Sequence, residues 1–243
     1  HHVPISDFTG TFNGNGKRLT INSFITSENT SRVGFFAVLR GGHVFNLTVI
    51  GPSSLSLGGG ITHFGLLAGE AIDPFFYHIQ LLTETTVTTT NAQTSSKSWK
   101  YYGGLAGNLL LEGHPMANVL SSSTLNFDFP DYNSYIAVGS LFGAVSGSQR
   151  ISSVRTSDIS VLQVSAPAAR RIICGGLVGS VKASRIFSTA VSEGSTLSVT
   201  HGASNAEVYL GGLAGEGSQF DYVDSAWVEV ECKGNNSTTL QGT

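Results

Sequence analysis

Five near-copies of one short glycine-rich phrase organise this chain: HFGLLAG, YYGGLAG, VGSLFG, CGGLVG and LGGLAG, ending at Gly69, Gly107, Gly143, Gly179 and Gly215. Successive copies lie 38, 36, 36 and 36 residues apart. A looser copy, VGFFAVL, runs from Val33 to Leu39 and lies 31 residues ahead of the next when Val38 is matched to Gly69. A fixed period between ~20 and ~50 residues marks stacked units, because one short unit cannot bury its apolar face alone and needs neighbours on either side.

Each copy is followed by a polar turn and a run in which apolar and small polar residues alternate: HVFNLTV from His43, HIQLLTETTVT from His78, NVLSSSTLNF from Asn118, RISSVRTSDISVLQV from Arg150, RIFSTAVSEGSTLSV from Arg185 and YVDSAWVEV from Tyr222. Alternation at period two, as at Ile159 and Val161 or Val228 and Val230, belongs to strands, and no segment sustains a helical stripe. Charged residues make up only 12% and glycines number 30, which suits strands and tight turns. One repeat therefore holds a glycine-rich strand, a turn, one or two further strands and a return loop. A propeller blade needs four strands in ~40–45 residues; too few strand runs occur here, and no signature dipeptide recurs. The expected architecture is all-β, a parallel β-helix or β-solenoid. It forms a single domain over 1–243, with coils of about 36 residues anchored near Val38, Gly69, Gly107, Gly143, Gly179 and Gly215.

A family resemblance rests on two further segments. Phe8-Thr9-Gly10-Thr11-Phe12-Asn13-Gly14-Asn15-Gly16, continuing to Ile21, resembles the opening that often precedes the GLUG motif. Gly42-His43-Val44-Phe45-Asn46-Leu47-Thr48-Val49, with the GFF and GGLAG copies, resembles the motif itself. The resemblance covers most of the chain, although later units replace the Asn-Leu step with Ser-rich segments. It implies a right-handed parallel β-helix of an extracellular or cell-surface, adhesin-like protein.

Stacked coils turn each motif position into a column with rungs ~4.8 Å apart. Leu105, Leu141, Leu177 and Leu213 make one column, and Tyr102, Val138, Cys174 and Leu210 make another on the opposite face. Neither face is charged, as in parallel strands covered on both sides. Two readings follow. Either the glycines let the coil bend tightly or one backbone approach another closely, or the outward face is covered by a second layer, a return loop or another molecule, with the second column as the candidate association face. A lysine at Val138 or Leu210 separates them, since it leaves a surface position folded and unfolds a core one.

Several chemistries are excluded or disfavoured. Thirteen Lys and Arg against sixteen Asp and Glu give a net charge of -3 with no basic stripe, so nucleic acid is not an expected partner. No apolar run reaches the ~18 residues of a membrane span. No Lys-Ser or Lys-Thr follows the glycines to make a phosphate loop. The seven histidines show no ligand spacing for zinc. Asp128 with Asp131, and Asp221 with Asp224, are weighed as calcium ligands and read instead as solvated turn carboxylates. Glycoside hydrolysis wants two carboxylates about 5 to 9.5 Å apart, but Glu70 and Glu216 share a column four units apart. Ice binding wants ranked threonines, and Thr83 to Thr90 has no threonine-rich neighbours. No cofactor and no catalytic residue is expected.

Aromatic residues in or beside the return loops, Phe75, Phe76, Tyr77, Trp99, Tyr101, Tyr132 and Tyr135, are candidate contacts for a glycan or a protein partner; packing of the loops is the alternative. Asn29, Asn46, Asn235 and Asn236 stand in N-glycosylation patterns, and Cys174 and Cys232 are a candidate disulfide. The chain starts at His1-His2-Val3-Pro4 without a signal peptide and reads as a mature form or a fragment of a longer protein. The expected function is a non-enzymatic structural or adhesive module of a secreted or cell-surface protein, associating end to end or side to side with itself or with other surface-protein domains. The alternatives are a glycan-binding module and a polysaccharide lyase or hydrolase.

Overall fold

The chain turns a corner inside every glycine phrase. In YYGGLAG the strand Trp99–Gly103 ends, Gly104 and Leu105 bend, and Ala106–Leu111 begins in a different sheet. The expectation of one glycine-rich strand per repeat is thereby corrected to two strands meeting at a bend. The computed structural model describes residues 1–27, 29–90, 98–114, 116–148, 150–156, 160–182, 185–187, 191–217, 226–233 and 239–242; for 150, 152, 185–187, 191–194, 226–233 and 239–242 it describes the backbone alone.

Among the described residues three sheets result, and every strand pairing is parallel. The first stacks Arg32–Val33, His63–Phe64, Trp99–Gly103, Tyr135–Gly139, Arg171–Gly175, Glu207–Gly211 and Thr239–Gly242. The second stacks Phe36–Arg40, Ala68–Ile72, Ala106–Leu111, Phe142–Gly147, Val178–Lys182 and Ala214–Gly217. The third has the longer strands Thr11–Thr20, His43–Ile50, Phe75–Thr90, Met116–Asp128, Val161–Ala166, Val191–His201 and Ala226–Lys233, with Ser54–Gly58, Arg150–Thr156 and Arg185–Phe187 paired alongside. Each coil visits the first, second and third sheet in turn, which makes a parallel β-solenoid with coils of about 36 residues.

Register follows the sequence spacing. Ala68 pairs with Ala106, Ala106 with Phe142, Phe142 with Val178 and Val178 with Ala214. The earliest copy differs by one place. Phe36 pairs with Ala68 and Val38 with Glu70, so Ala37, not Val38, stands opposite Gly69.

The core lies inside the three sheets, and the four residues that sequence left between core and partner belong to it. Tyr102, Val138 and Cys174 are 0% exposed and Leu210 is 6%. The association face is corrected accordingly, since a lysine at Val138 would carry its charge into the core. The other side of the same sheet is covered too. Ala137 and Ile173 are fully buried because the second sheet folds back over them. A Cβ on Gly179 would stand 2.5 Å from both Gly143 O and Val138 N. Close backbone approach is the reason for that glycine.

The Ser-rich departures from the motif also point inward. Ser121 Oγ and Ser123 Oγ bond each other at 2.9 Å, Thr83 Oγ1 and Thr85 Oγ1 at 2.6 Å, and Thr85 donates to Pro52 O at 2.7 Å. Hydroxyls that satisfy one another sit in a core at little cost.

Candidate functional site

The first sheet carries two columns on the side away from the core. The strands align Trp99, Tyr135, Arg171 and Glu207 in one column and Tyr101, Ala137, Ile173 and Tyr209 in the other. The middle of the second column is covered by the second sheet. The first column is not, and its side chains make a continuous aromatic and guanidinium platform. Trp99 and Tyr101 stack at 5.9 Å with 9° between planes, and Trp99 meets Tyr135 at 5.1 Å. The Arg171 guanidinium lies 4.6 Å from the Tyr209 ring and 5.8 Å from Trp99. His63 continues the line at 5.3 Å from Tyr101.

Trp99 and Arg171 form a wall shared by two clefts. One, of about 750 Å³, lies toward the return loops and includes Asn133, Tyr135, Arg170 and Asn205. The other, of about 350 Å³, runs between the first and second sheets and adds Ser180, Lys182 and Glu216. Aromatic faces beside amides, hydroxyls and a fixed guanidinium suit a polyhydroxylated ligand, whose apolar ring face stacks while its hydroxyls find partners.

Most charges at the rings are paired, whereas the exposed Arg170 and Lys182 line the clefts without an ion pair among the described residues. Arg171 Nη2 is 3.2 Å from Glu216 and its Nε 3.7 Å from Glu207; at the far end Arg32 meets Glu70 at 2.6 Å. Burial lowers the His63 imidazole to about 4, outweighing the attraction of Glu70, with Arg32 pushing the same way. That ring is neutral near pH 7.

Trp99, Tyr101 and Tyr135 are thus brought together. Phe76 and Tyr132 are not part of any surface: both are 0% exposed. Tyr132 donates to Ser98 O and lies 4.8 Å from Lys100 Nζ. These two are corrected from contact residues to core residues, because the strand Phe75–Thr90 turns the Phe76 ring inward and the loop between Met116–Asp128 and Tyr135–Gly139 tucks in that of Tyr132. Phe75 and Tyr77 stack on each other at 6.2 Å in the third sheet, apart from the platform. Arg171, Tyr209 and Glu207 were not singled out by sequence, and Glu216 was weighed only as a carboxylate sharing a column with Glu70. The 36-residue step, extended upstream of the glycine phrase from Trp99, leads to Tyr135, Arg171 and Glu207 in order.

Among the described residues no three His, Cys, Asp or Glu side chains converge as metal ligands, and no helix is long and apolar enough to cross a membrane. Asp128 is half-buried and Asp131 exposed; Asp221 and Asp224 lie outside the described residues. Asn29 is exposed in a turn, whereas Asn46 is half-buried in a strand. Asn235 and Asn236 lie outside the described residues, as does the side chain of Cys232, so the expected disulfide extends beyond them; Cys174 is in the core.

Comparison with protein-family models, with curated proteins and with solved structures finds no match for this chain. The class defined by fold and site is a parallel β-solenoid bearing an aromatic platform.

Proposed function

We propose that the chain is a non-enzymatic adhesive module of the GLUG-repeat type, belonging to a secreted or cell-surface protein, and that the platform of Trp99, Tyr101 and Tyr135 holds a neutral glycan. The observation that carries this reading is the row of rings between two clefts, on a scaffold whose backbone is hydrogen-bonded coil to coil. Preorganised rings cost little entropy on binding, which favours ligands that offer many weak contacts. Paired charges at Arg171 and Arg32 favour an uncharged sugar over an anion. Glu207 and Glu216 are both committed to Arg171, which speaks for a structural role of the carboxylates over glycosidic acid and base chemistry.

A glycan array followed by calorimetry on the best neutral ligand tests the reading. Trp99→Ala is expected to weaken binding about tenfold, the scale of one lost stacking contact, with the thermal midpoint within a few degrees of the parent. Unchanged affinity in Trp99→Ala and Tyr135→Ala, or no binding to any neutral glycan, overturns it.

A further inference from the structure

A second groove lies on the outer side of the third sheet, away from the platform, and nothing in the function proposed above uses it. It starts from a repeated backbone anomaly. Asn15, Asn46, His78, Asn118 and Ser153 all have left-handed backbones, with φ of 50°, 54°, 51°, 54° and 53°. They stack on successive coils. Phe45, Tyr77, Ala117 and Ser152 are aligned before them, and Leu47, Ile79, Val119 and Val154 after them; Asn15 occupies the bulge that opens the column. A left-handed backbone costs most side chains roughly 1–2 kcal/mol, and after glycine it suits Asn and His best. Glycine would relieve that strain, yet these positions carry amides, an imidazole and a hydroxyl. The repeated bend thus places a polar side chain on each successive coil.

The bend makes the sheet concave. Alongside runs a second column, Arg18, Thr48, Gln80, Leu120 and Arg155, and between the two lies a trough of about 610 Å³. Its lining, among the described residues, has amides, hydroxyls, an imidazole and the Arg155 guanidinium, and no carboxylate. Arg18 and Arg155 are both exposed, and neither is in an ion pair among the described residues. Arg32, Arg40 and Arg171 each face a carboxylate.

We infer that this trough binds a linear acidic glycan lying along the solenoid axis. Its rungs are about 5 Å apart, close to the advance of one sugar in an extended chain, so hydroxyls meet Asn46, Asn118 and Gln80 while carboxylates reach the arginines at either end. Guanidinium and carboxylate match in charge and in geometry. A nucleic acid fits less well, because a single ring, the His78 imidazole, is all the lining offers for stacking successive bases and the chain as a whole carries a net charge of -3.

Calorimetry with an oligomannuronate, which carries one carboxylate per sugar, tests this on the chain made without N-glycans so that Asn46 keeps its free amide. Neutral oligomannan and a single-stranded oligonucleotide of similar length serve as comparisons. Asn118→Gly keeps the left-handed backbone and removes only the amide. The oligomannuronate is expected to bind and the neutral oligomer to bind far more weakly. Arg155→Gln should cost about tenfold in affinity, the scale of one charge-assisted contact. Asn118→Gly should weaken binding with no loss of thermal stability, and Trp99→Ala should leave it unchanged. Equal binding of the neutral oligomer, tighter binding of the oligonucleotide, no binding of the oligomannuronate, or full affinity in Arg155→Gln together with Asn118→Gly overturns the assignment. Because Trp99→Ala does not touch this groove, failure here is separable from failure of the platform.

Discussion

Lys100 shows how a single residue in this solenoid is held by chemistry that hydrophobicity alone does not supply. Its neighbours in the same inward column are Ile136, Ile172 and Val208, all fully buried, and Lys100 itself is 1% exposed. The ammonium donates to Gly59 O at 2.8 Å and Ile61 O at 2.6 Å and lies 4.8 Å from the Tyr132 ring. Carbonyls and a ring face stabilise it in part, but no carboxylate is among these partners, and burial lowers its pKa from 10.5 to about 8. The folded group therefore releases its proton while the unfolded chain still holds one, and stability rises with pH across that window. Tyr102 and Tyr132 act in the opposite sense. Burial raises both phenols, so above about pH 10 the unfolded chain loses protons that the folded chain keeps, and stability falls. Urea unfolding at a series of pH values should show a gain of about 2 kcal/mol between about pH 8 and about pH 10. Lys100→Met should lack that gain, and an identical slope in the variant would mean that the lysine is not its source.

At the scale of the element, the corner between the first and second sheets does most to define the coil. Leu141 O accepts the amides of Leu105 and Ala106 at 2.9 and 3.0 Å, and Leu177 O those of Leu141 and Phe142 at 3.0 and 3.1 Å. Two successive amides converge on one carbonyl of the next coil, which demands a bend, and the bend brings the second sheet onto the backbone of the first. Gly179→Ala is therefore expected to cost ~1–3 kcal/mol, as over-packing of a tight site does. Gly58→Ala, where an added Cβ meets nothing within 4 Å, should change stability little; chemical denaturation of the two variants makes the comparison. The same geometry explains what was legible beforehand. A 36-residue period survives in the sequence because every coil must repeat the corner, so solenoid and coil length could be read directly. The corner itself could not, because a strand covered on both faces and a bend between two such strands both read as small and apolar residues. Trp99, Tyr101 and Tyr135 stood out as aromatic, but so did Phe76 and Tyr132, and only strand direction tells a ring in a cleft from one under a loop. Arg171 was hidden by its charge, since an Arg170-Arg171 pair at the end of a loop gives no sign of which guanidinium stacks on Tyr209.

For the molecule as a whole, stability is close to a sum of coils and the interfaces between them, and the columns make neighbouring coils interchangeable. Removing residues 140–175 joins Gly139 to Gly176 and rebuilds the same phrase, Val138-Gly139-Gly176-Leu177-Val178-Gly179. The new neighbours are compatible at each inward position. Val138, paired with Cys174 in the parent, would meet Leu210, the residue on which Cys174 stacks. Leu125 would meet Leu197 in place of Leu162, and Phe127 would meet Val199 in place of Val164. No apolar position changes face, because a whole coil leaves the pleat of every sheet in phase. The shortened chain is expected to fold with an unchanged strand signature in circular dichroism and a lower thermal midpoint, having lost one interface. Removing one residue fewer would shift one sheet out of phase and carry Val138 or its partner to the outer side, and that chain should not fold cooperatively. If both deletions melt alike, the columns are not what holds the coils in register.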